Sequence, residues 1–194
     1  MKQNFAPGVE DLRLAPRPSW AFARNARGVA AVEFALILPV MLMMLGLCVI
    51  AGEALAIGQQ VTATARTIVD IVSKNNQLST AQMTAILNAA AYTMAPYDNT
   101  HLSMVVAEIQ TNGSGAATVT WSSAAFNGTA LTKGAPFTLP ASMSVANATY
   151  IYGQASYAFT PLGVGFALSQ PLPLSDVAYF SPRVSTAVNY PYPN

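Results

Sequence analysis

The stretch Arg27-Gly-Val-Ala-Ala-Val-Glu-Phe-Ala-Leu-Ile-Leu-Pro-Val40 decides how this chain is read. A basic leader stops at Gly28. One carboxylate, Glu33, stands at the mouth of an apolar run, and from Phe34 to Gly52 no charged side chain occurs. An acid inside a membrane segment costs ~2.5–3.5 kcal/mol on insertion scales, so Glu33 is read first as a functional residue.

Outward from it, Val29 to Ile57 reads as a membrane-spanning helix. A span needs ~20 apolar residues rising 1.5 Å each. Glu33 and Glu53 bracket ~30 Å of helix, close to the thickness of a bilayer core, so the two acids fall near opposite interfaces. Glu53 is expected to be no more than an outer-interface acid. Pro39 removes one backbone donor and is expected to kink the helix, which membrane helices tolerate where neighbours compensate. Cys48, the one cysteine, lies inside the run. It is expected as a buried apolar filler, since Leu45-Gly46-Leu47 is a poor lipid-attachment signal. No intramolecular disulfide is available to the chain.

The whole composition agrees. Of 194 residues, 53% are hydrophobic and 9% charged, with mean hydropathy +0.37. Ordinary soluble domains carry about 25% charged residues. The net charge is +1, which argues against nucleic acid as a partner. Before Val29 stand Lys2, Arg13, Arg17, Arg24 and Arg27 against Glu10 and Asp11. This places the basic end in the cytoplasm and the rest across the membrane. Pro7, Pro16 and Pro18 break any long helix in the leader; Trp20 and Phe22 are candidates for touching the membrane surface.

After Gly58 the periodicity becomes amphipathic. Val61, Ala65, Ile68 and Val72 form one stripe, with Gln60, Thr64, Arg66 and Asp70 elsewhere, so the helix continues against a soluble domain and ends near Lys74-Asn75-Asn76. Ser79-Thr80-Ala81-Gln82 is a capping box with Ser79 as N-cap. It starts a second helix, Thr80 to Met94, whose apolar stripe is Met83, Ile86, Leu87, Ala90 and Met94, closed by Pro96. From Leu102 the period shortens to that of strands. Leu102 to Gln110, the turn Asn112-Gly113-Ser114-Gly115, and Ala117, Val119 and Trp121 alternating with Thr118 and Thr120 predict a hairpin. Ser122 to Met143 reads as a long loop, Val145 to Phe159 as a strand with Gly153 at a bulge or bend, Pro161 to Pro173 as a loop, and Leu174 to Phe180 as a last strand. Tyr190-Pro191-Tyr192-Pro193 is expected to be extended.

Taken together, Gly-Val-Ala-Ala-Val-Glu-Phe from Gly28, followed by Ala-Leu-Ile-Leu-Pro-Val, resembles the TadE-type pseudopilins of the tight-adherence pilus system, relatives of type IV pilins. The likeness is specific from Arg27 to about Val61. It is weaker at Ser-Tyr-Ala-Phe-Thr-Pro-Leu (156–162) and Ala-Tyr-Phe-Ser-Pro-Arg (178–183). The resemblance implies cleavage by a membrane aspartyl prepilin peptidase between Gly28 and Val29, which makes Glu33 the fifth mature residue, next to Phe34. It further implies that Glu33 pairs with the new amine of a neighbouring subunit, that other pilin-like subunits and the Tad secretion platform are partners, and that the protein sits in a bacterial inner membrane with its C-terminal domain periplasmic. Glycine at the cut lets the backbone lie extended in a protease cleft, and charge pairing is strong in low dielectric. The 28-residue leader is longer than many in the family.

Three other readings compete. Ala54-Leu55-Ala56 is a signal-peptidase pattern that would release a secreted protein, although Phe34 to Gly52 exceeds the usual 7–15-residue apolar core. A general single-span envelope protein with an extracytoplasmic binding domain is the second. An enzyme is the third: His101 is the one histidine, Asp98 and many serines are present, but no nucleophile-elbow motif and no Cys/His zinc set exists, so no catalytic residue, metal or cofactor is expected. Asn112-Gly-Ser, Asn127-Gly-Thr and Asn147-Ala-Thr match the glycosylation pattern but are expected by chance in so Asn-, Ser- and Thr-rich a chain. The expected fold is α+β: leader 1–28, membrane helix 29–57, extracytoplasmic helical region 58–95, and a small antiparallel β domain 96–194.

Overall fold

The computed structural model describes residues 26–161 and 171–191, with side chains from Gly28 onward. The expectations for the leader before Ala26, for most of the loop after Pro161 and for Tyr192-Pro193 lie outside the described residues. The chain divides into two compact units, one up to Leu47 and one from Cys48. The fold is α+β.

Helix α1 runs Ala26–Ser73 and passes through Pro39 without ending. It is the described helix long and apolar enough to cross a membrane. Every side chain from Gly28 to Val49 is exposed, Cys48 among them. Cys48 is therefore a surface residue of the helix and not the buried filler expected. From Ile57 the same helix changes partner. Ile57, Val61, Ala65, Ile68, Val69 and Val72 are buried in the domain core, while Gln59, Ala63 and Arg66 stay exposed. The expected stripe of Val61, Ala65, Ile68 and Val72 is present, but Thr64, expected on another face, is buried beside it, where its hydroxyl meets Thr93.

Helix α2, Thr80–Ala91, begins at the expected capping box. Ser79 Oγ accepts from Gln82 N at 3.3 Å, and Gln82 Oε1 accepts from Ser79 N at 2.9 Å. Its last expected turn tightens into a 3-10 helix, Tyr92–Met94. The tightening sits where Thr93 Oγ1 meets Thr64 Oγ1 on α1 at 2.5 Å and donates to Ala90 O at 2.7 Å.

The sheet is antiparallel and contains β1 (Leu102–Thr111), β2 (Ala117–Phe126), β3 (Pro136–Phe137), β4 (Thr149–Phe159) and β5 (Leu172–Phe180), in the order β3-β2-β1-β4-β5. β2 runs further than its alternation suggested, to Phe126, and the small-residue segment after it carries β3 and a 3-10 turn at Ala141–Met143. β4 starts at Thr149 and not at Val145, because Thr111 takes up the segment before it. The Thr111 hydroxyl donates to Val145 O at 2.5 Å and accepts from Ala148 N at 2.8 Å. β5 tolerates Pro173 because it is an edge strand, where no ladder donor is lost.

Two details differ from simple alternation. Glu108 pairs with Trp121 while Ile109 pairs with Val119, so Thr120 is an extra residue, a β-bulge. A bulge shifts the side-chain phase by one. Ala117 and Val119 accordingly pack with Ala107, Ile109, Leu139 and Tyr152 on one face. Trp121 joins Met104, Val106, Ile151 and the helices on the other, not the face of Val119 as the alternation implied. Gly153, in contrast, makes no bulge, since β1 and β4 pair in unbroken register across it. It is glycine because a Cβ there would collide with Val69 Cγ2 and crowd Ala65 O at 3.2 Å. The gap left by that missing side chain lets α1 lie directly on the sheet.

Candidate functional site

Gly28, Val29, Glu33 and Phe34 all lie in the first turns of α1. Val29 and Phe34 are 57% and 59% exposed, and the Glu33 side chain is exposed too. Four residues apart, Val29 and Glu33 share one helix face. Among the described residues Glu33 has no ion-pair partner; the two ion pairs, Lys74–Asp70 and Arg183–Asp70, lie at the other end of α1. The Gly28–Val29 peptide is helical rather than extended. It falls in the first turn, whose N–H groups have no intrahelical acceptor. Beyond Phe34 the exposed apolar surface continues to Val49 without a charge.

A second acid, Glu108, is 1% exposed in the middle of β1. Its Oε2 accepts from the Val188 N–H at 2.5 Å and its Oε1 from Gln110 Nε2 at 3.3 Å. The Val188 carbonyl in turn accepts from Trp121 Nε1 at 2.7 Å. Both peptide groups of one residue are thereby held by two neighbours across the bulge. Burial pushes the Glu108 carboxyl above the ordinary carboxylate range, against the opposing hydrogen bonds from Val188 and Gln110. Beside it opens a polar recess of about 310 Å³, lined in part by Glu108, Gln110, Thr120, Lys133 and Tyr190.

Val188 belongs to a C-terminal strap, residues 181–190. Arg183 N donates to Ser73 O at 2.8 Å, and its guanidinium lies 3.3 Å from Asp70. Asn189 forms a parallel bridge with Gln77, and the Tyr190 ring packs on Trp121 at 5.1 Å between centroids. The strap ties the end of α1 and the start of α2 to the sheet. Sequence reading missed this group, because an acid in a strand looks solvent-facing until a segment eighty residues away covers it.

Asp98 and His101, the residues weighed for catalysis, make local contacts. Asp98 accepts from the Thr100 N–H at 2.8 Å and from its hydroxyl, which holds its carboxyl below the ordinary range. His101 sits edge-on to Tyr157 at 6.0 Å. Among the described residues no three His, Cys, Asp or Glu side chains gather as a metal site. The Asn112 side chain braces the β1–β2 turn, accepting from Ser114 N at 3.0 Å and Ala116 N at 2.9 Å.

An exposed, nearly uncharged helical stretch followed by a small α+β domain defines a class: proteins with, among the described residues, one apolar helix compatible with a membrane anchor. Within that class, the chain carries a TadE-like segment, for the TadE-like protein family matches it over residues 28–70. The match starts at Gly28 and ends inside the buried part of α1. No curated protein and no solved structure matches the chain.

Proposed function

We propose that this protein is a membrane-anchored, pilin-like component of tight-adherence pilus assembly and has no catalytic role of its own. The observation that carries the reading is the coincidence of the TadE-like match with one helix surface. Residues 28–70 take in Gly28, the exposed Glu33 and the charge-free surface to Val49, and then the buried stripe that fixes the domain to the helix. In this reading α1 spans the inner membrane once, with the leader cytoplasmic and the domain periplasmic. A prepilin peptidase cuts between Gly28 and Val29. Glu33 then meets the Val29 amine of an adjacent pilin-like subunit, in a medium where an unpaired charge is costly. Cleavage after Ala56 is disfavoured physically, because it would place a charged terminus on Ile57, which is 1% exposed in the core.

Two measurements test this. N-terminal sequencing of the mature protein is expected to begin at Val29; a start at Ile57 or at Met1 overturns the processing step. Glu33→Gln is expected to leave insertion and cleavage intact and to reduce recovery of the protein with its pilin-like partners and the secretion platform. Normal co-recovery of that variant would sink the assembly role and favour a general envelope protein.

A further inference from the structure

The chain holds two Asn-Gly pairs, Asn112-Gly113 and Asn127-Gly128, and the fold treats them in opposite ways. Such a pair can react with itself. The glycine's backbone nitrogen can close a small ring on the asparagine amide carbon, and glycine has no Cβ to obstruct the approach. Asn112 and Gly113 stand exposed to water in the turn between β1 and β2. Asn112 Oδ1 accepts from Ser114 N at 3.0 Å, from Ser114 Oγ at 2.7 Å and from Ala116 N at 2.9 Å. Among the described residues neither Asn112 Nδ2 nor the Gly113 N–H has an acceptor, and nothing lies within 4 Å of the place a Gly113 Cβ would take.

The turn is held from outside itself. Asn112 N donates to Ala116 O at 3.0 Å, and Asn112 O accepts from Gly115 N at 3.0 Å and from Asn147 N at 3.2 Å. Gly115 has φ +81°, and a Cβ there would lie 2.9 Å from Ser144 O. The amide oxygen of Asn112 is thus fixed among its donors while the leaving and attacking nitrogens are free. At Asn127 the pattern is reversed. Its Nδ2 donates to Thr100 O at 2.5 Å, the Gly128 N–H donates to Ala125 O at 3.1 Å, and a side chain at Gly128 would collide with Met104 O. There the leaving nitrogen is held, the proton of the attacking nitrogen is committed, and the backbone is packed.

We propose that Asn112 is a self-modification site: the folded β1–β2 turn, through the donors gathered on Asn112 Oδ1, converts this residue to aspartate by way of a succinimide with Gly113. The Gly113 nitrogen gives its proton to hydroxide and attacks Asn112 Cγ, forming a C–N bond. The carbonyl electron pair moves onto Oδ1, where the donors already stand around the developing charge. Collapse breaks the Cγ–Nδ2 bond, and Nδ2 takes a proton from water and leaves as ammonia. Water then opens the ring to aspartate or isoaspartate; no oxidation state changes. Aspartate keeps a carboxylate oxygen for the same donors, whose hydrogen bonds become charge-assisted. Isoaspartate puts an extra carbon into the backbone and displaces the carbonyl that Gly115 N and Asn147 N hold. Aspartate is therefore the product that fits the turn, which gains a negative charge as the folded domain ages.

The test uses the full chain in detergent micelles at mildly alkaline pH, either folded or in guanidinium chloride, with peptide mass spectrometry following conversion of amide to acid at positions 112 and 127. In the folded chain conversion at 112 is expected to be several-fold faster than at 127 and to quicken as pH rises. On unfolding the two rates are expected to converge, 112 slowing and 127 quickening. A folded chain in which 112 converts no faster than 127, or a position 112 that quickens on unfolding, overturns the proposal. Ser114→Ala removes one donor from Oδ1 and is expected to slow conversion at 112 several-fold with 127 unaltered; an unchanged rate at 112 overturns the role of the donors. The comparison of folded with unfolded wild type decides the matter even if the variant does not fold.

Discussion

Glu108 offers the most direct residue-scale test of how the domain is held together. In the folded chain burial lifts its carboxyl above the ordinary carboxylate range, so the folded state keeps this proton to higher pH than the unfolded state does. The contribution to stability is fully present below the ordinary carboxylate value and is lost as pH rises through the raised one. Glu108→Gln keeps an acceptor for the Val188 N–H but cannot ionise. Thermal unfolding of the full chain is expected to show the wild type losing stability relative to Glu108→Gln as pH rises from the ordinary carboxylate range through the raised one. Taking the difference between the two proteins removes Asp70 and Asp98, whose carboxyls are held below the ordinary range and contribute with the opposite sign. A wild type that gains on the variant as pH rises would mean that the ionised carboxylate is the favoured partner of Val188.

At the scale of elements, the Thr120 bulge decides which face Trp121 serves. Trp121→Phe keeps most of the ring in the core and removes the donor to the buried Val188 carbonyl, a loss of about 1–3 kcal/mol. Hydrogen exchange should quicken at residues 186–190 with the β1–β4 ladder unchanged; equal quickening throughout would show that the indole acts only as bulk. The helices were readable before any coordinates. Val61, Ala65, Ile68 and Val72 repeat with the helical period, and Ser79 and Gln82 mark a start by local chemistry alone. The β1–β2 turn was readable for the same reason, in the short side chains of Asn112 to Gly115. Thr120 was not, because Val119, Thr120 and Trp121 alternate as a regular strand would, and the extra residue exists only relative to Glu108 and Ile109 on the partner. Gly153 was noticed for a local reason and explained by a distant one, the Val69 side chain on α1. Gly28, Val29, Glu33 and Phe34 are legible as a motif. Their exposure on the first turns of α1 needed the structure, and the strap over Glu108 left no local mark in either sequence it joins.

At the scale of the whole molecule, the strap connects the last described residues to the first elements of the domain. Ending the chain at Arg183 removes Val188, Asn189 and Tyr190, uncovers Glu108 and Trp121 and takes away the Val188 groups they bond. Each lost hydrogen bond is expected to cost about 0.5–1.5 kcal/mol, out of a total stability of about 5–15 kcal/mol for a typical domain. Limited proteolysis of that truncated chain should cut the sheet rapidly where the intact domain resists; equal resistance would show that the strap is decoration. The same strap has a consequence in time. Chains are made from the first residue onward, and domains fold as their pieces emerge. Here α1, α2 and the five strands are all made before Val188, the partner of Glu108 eighty residues further on, emerges. Until that residue is made the Glu108 carboxyl has no Val188 N–H to accept from, so the closing of the domain waits on a segment made after all of its strands.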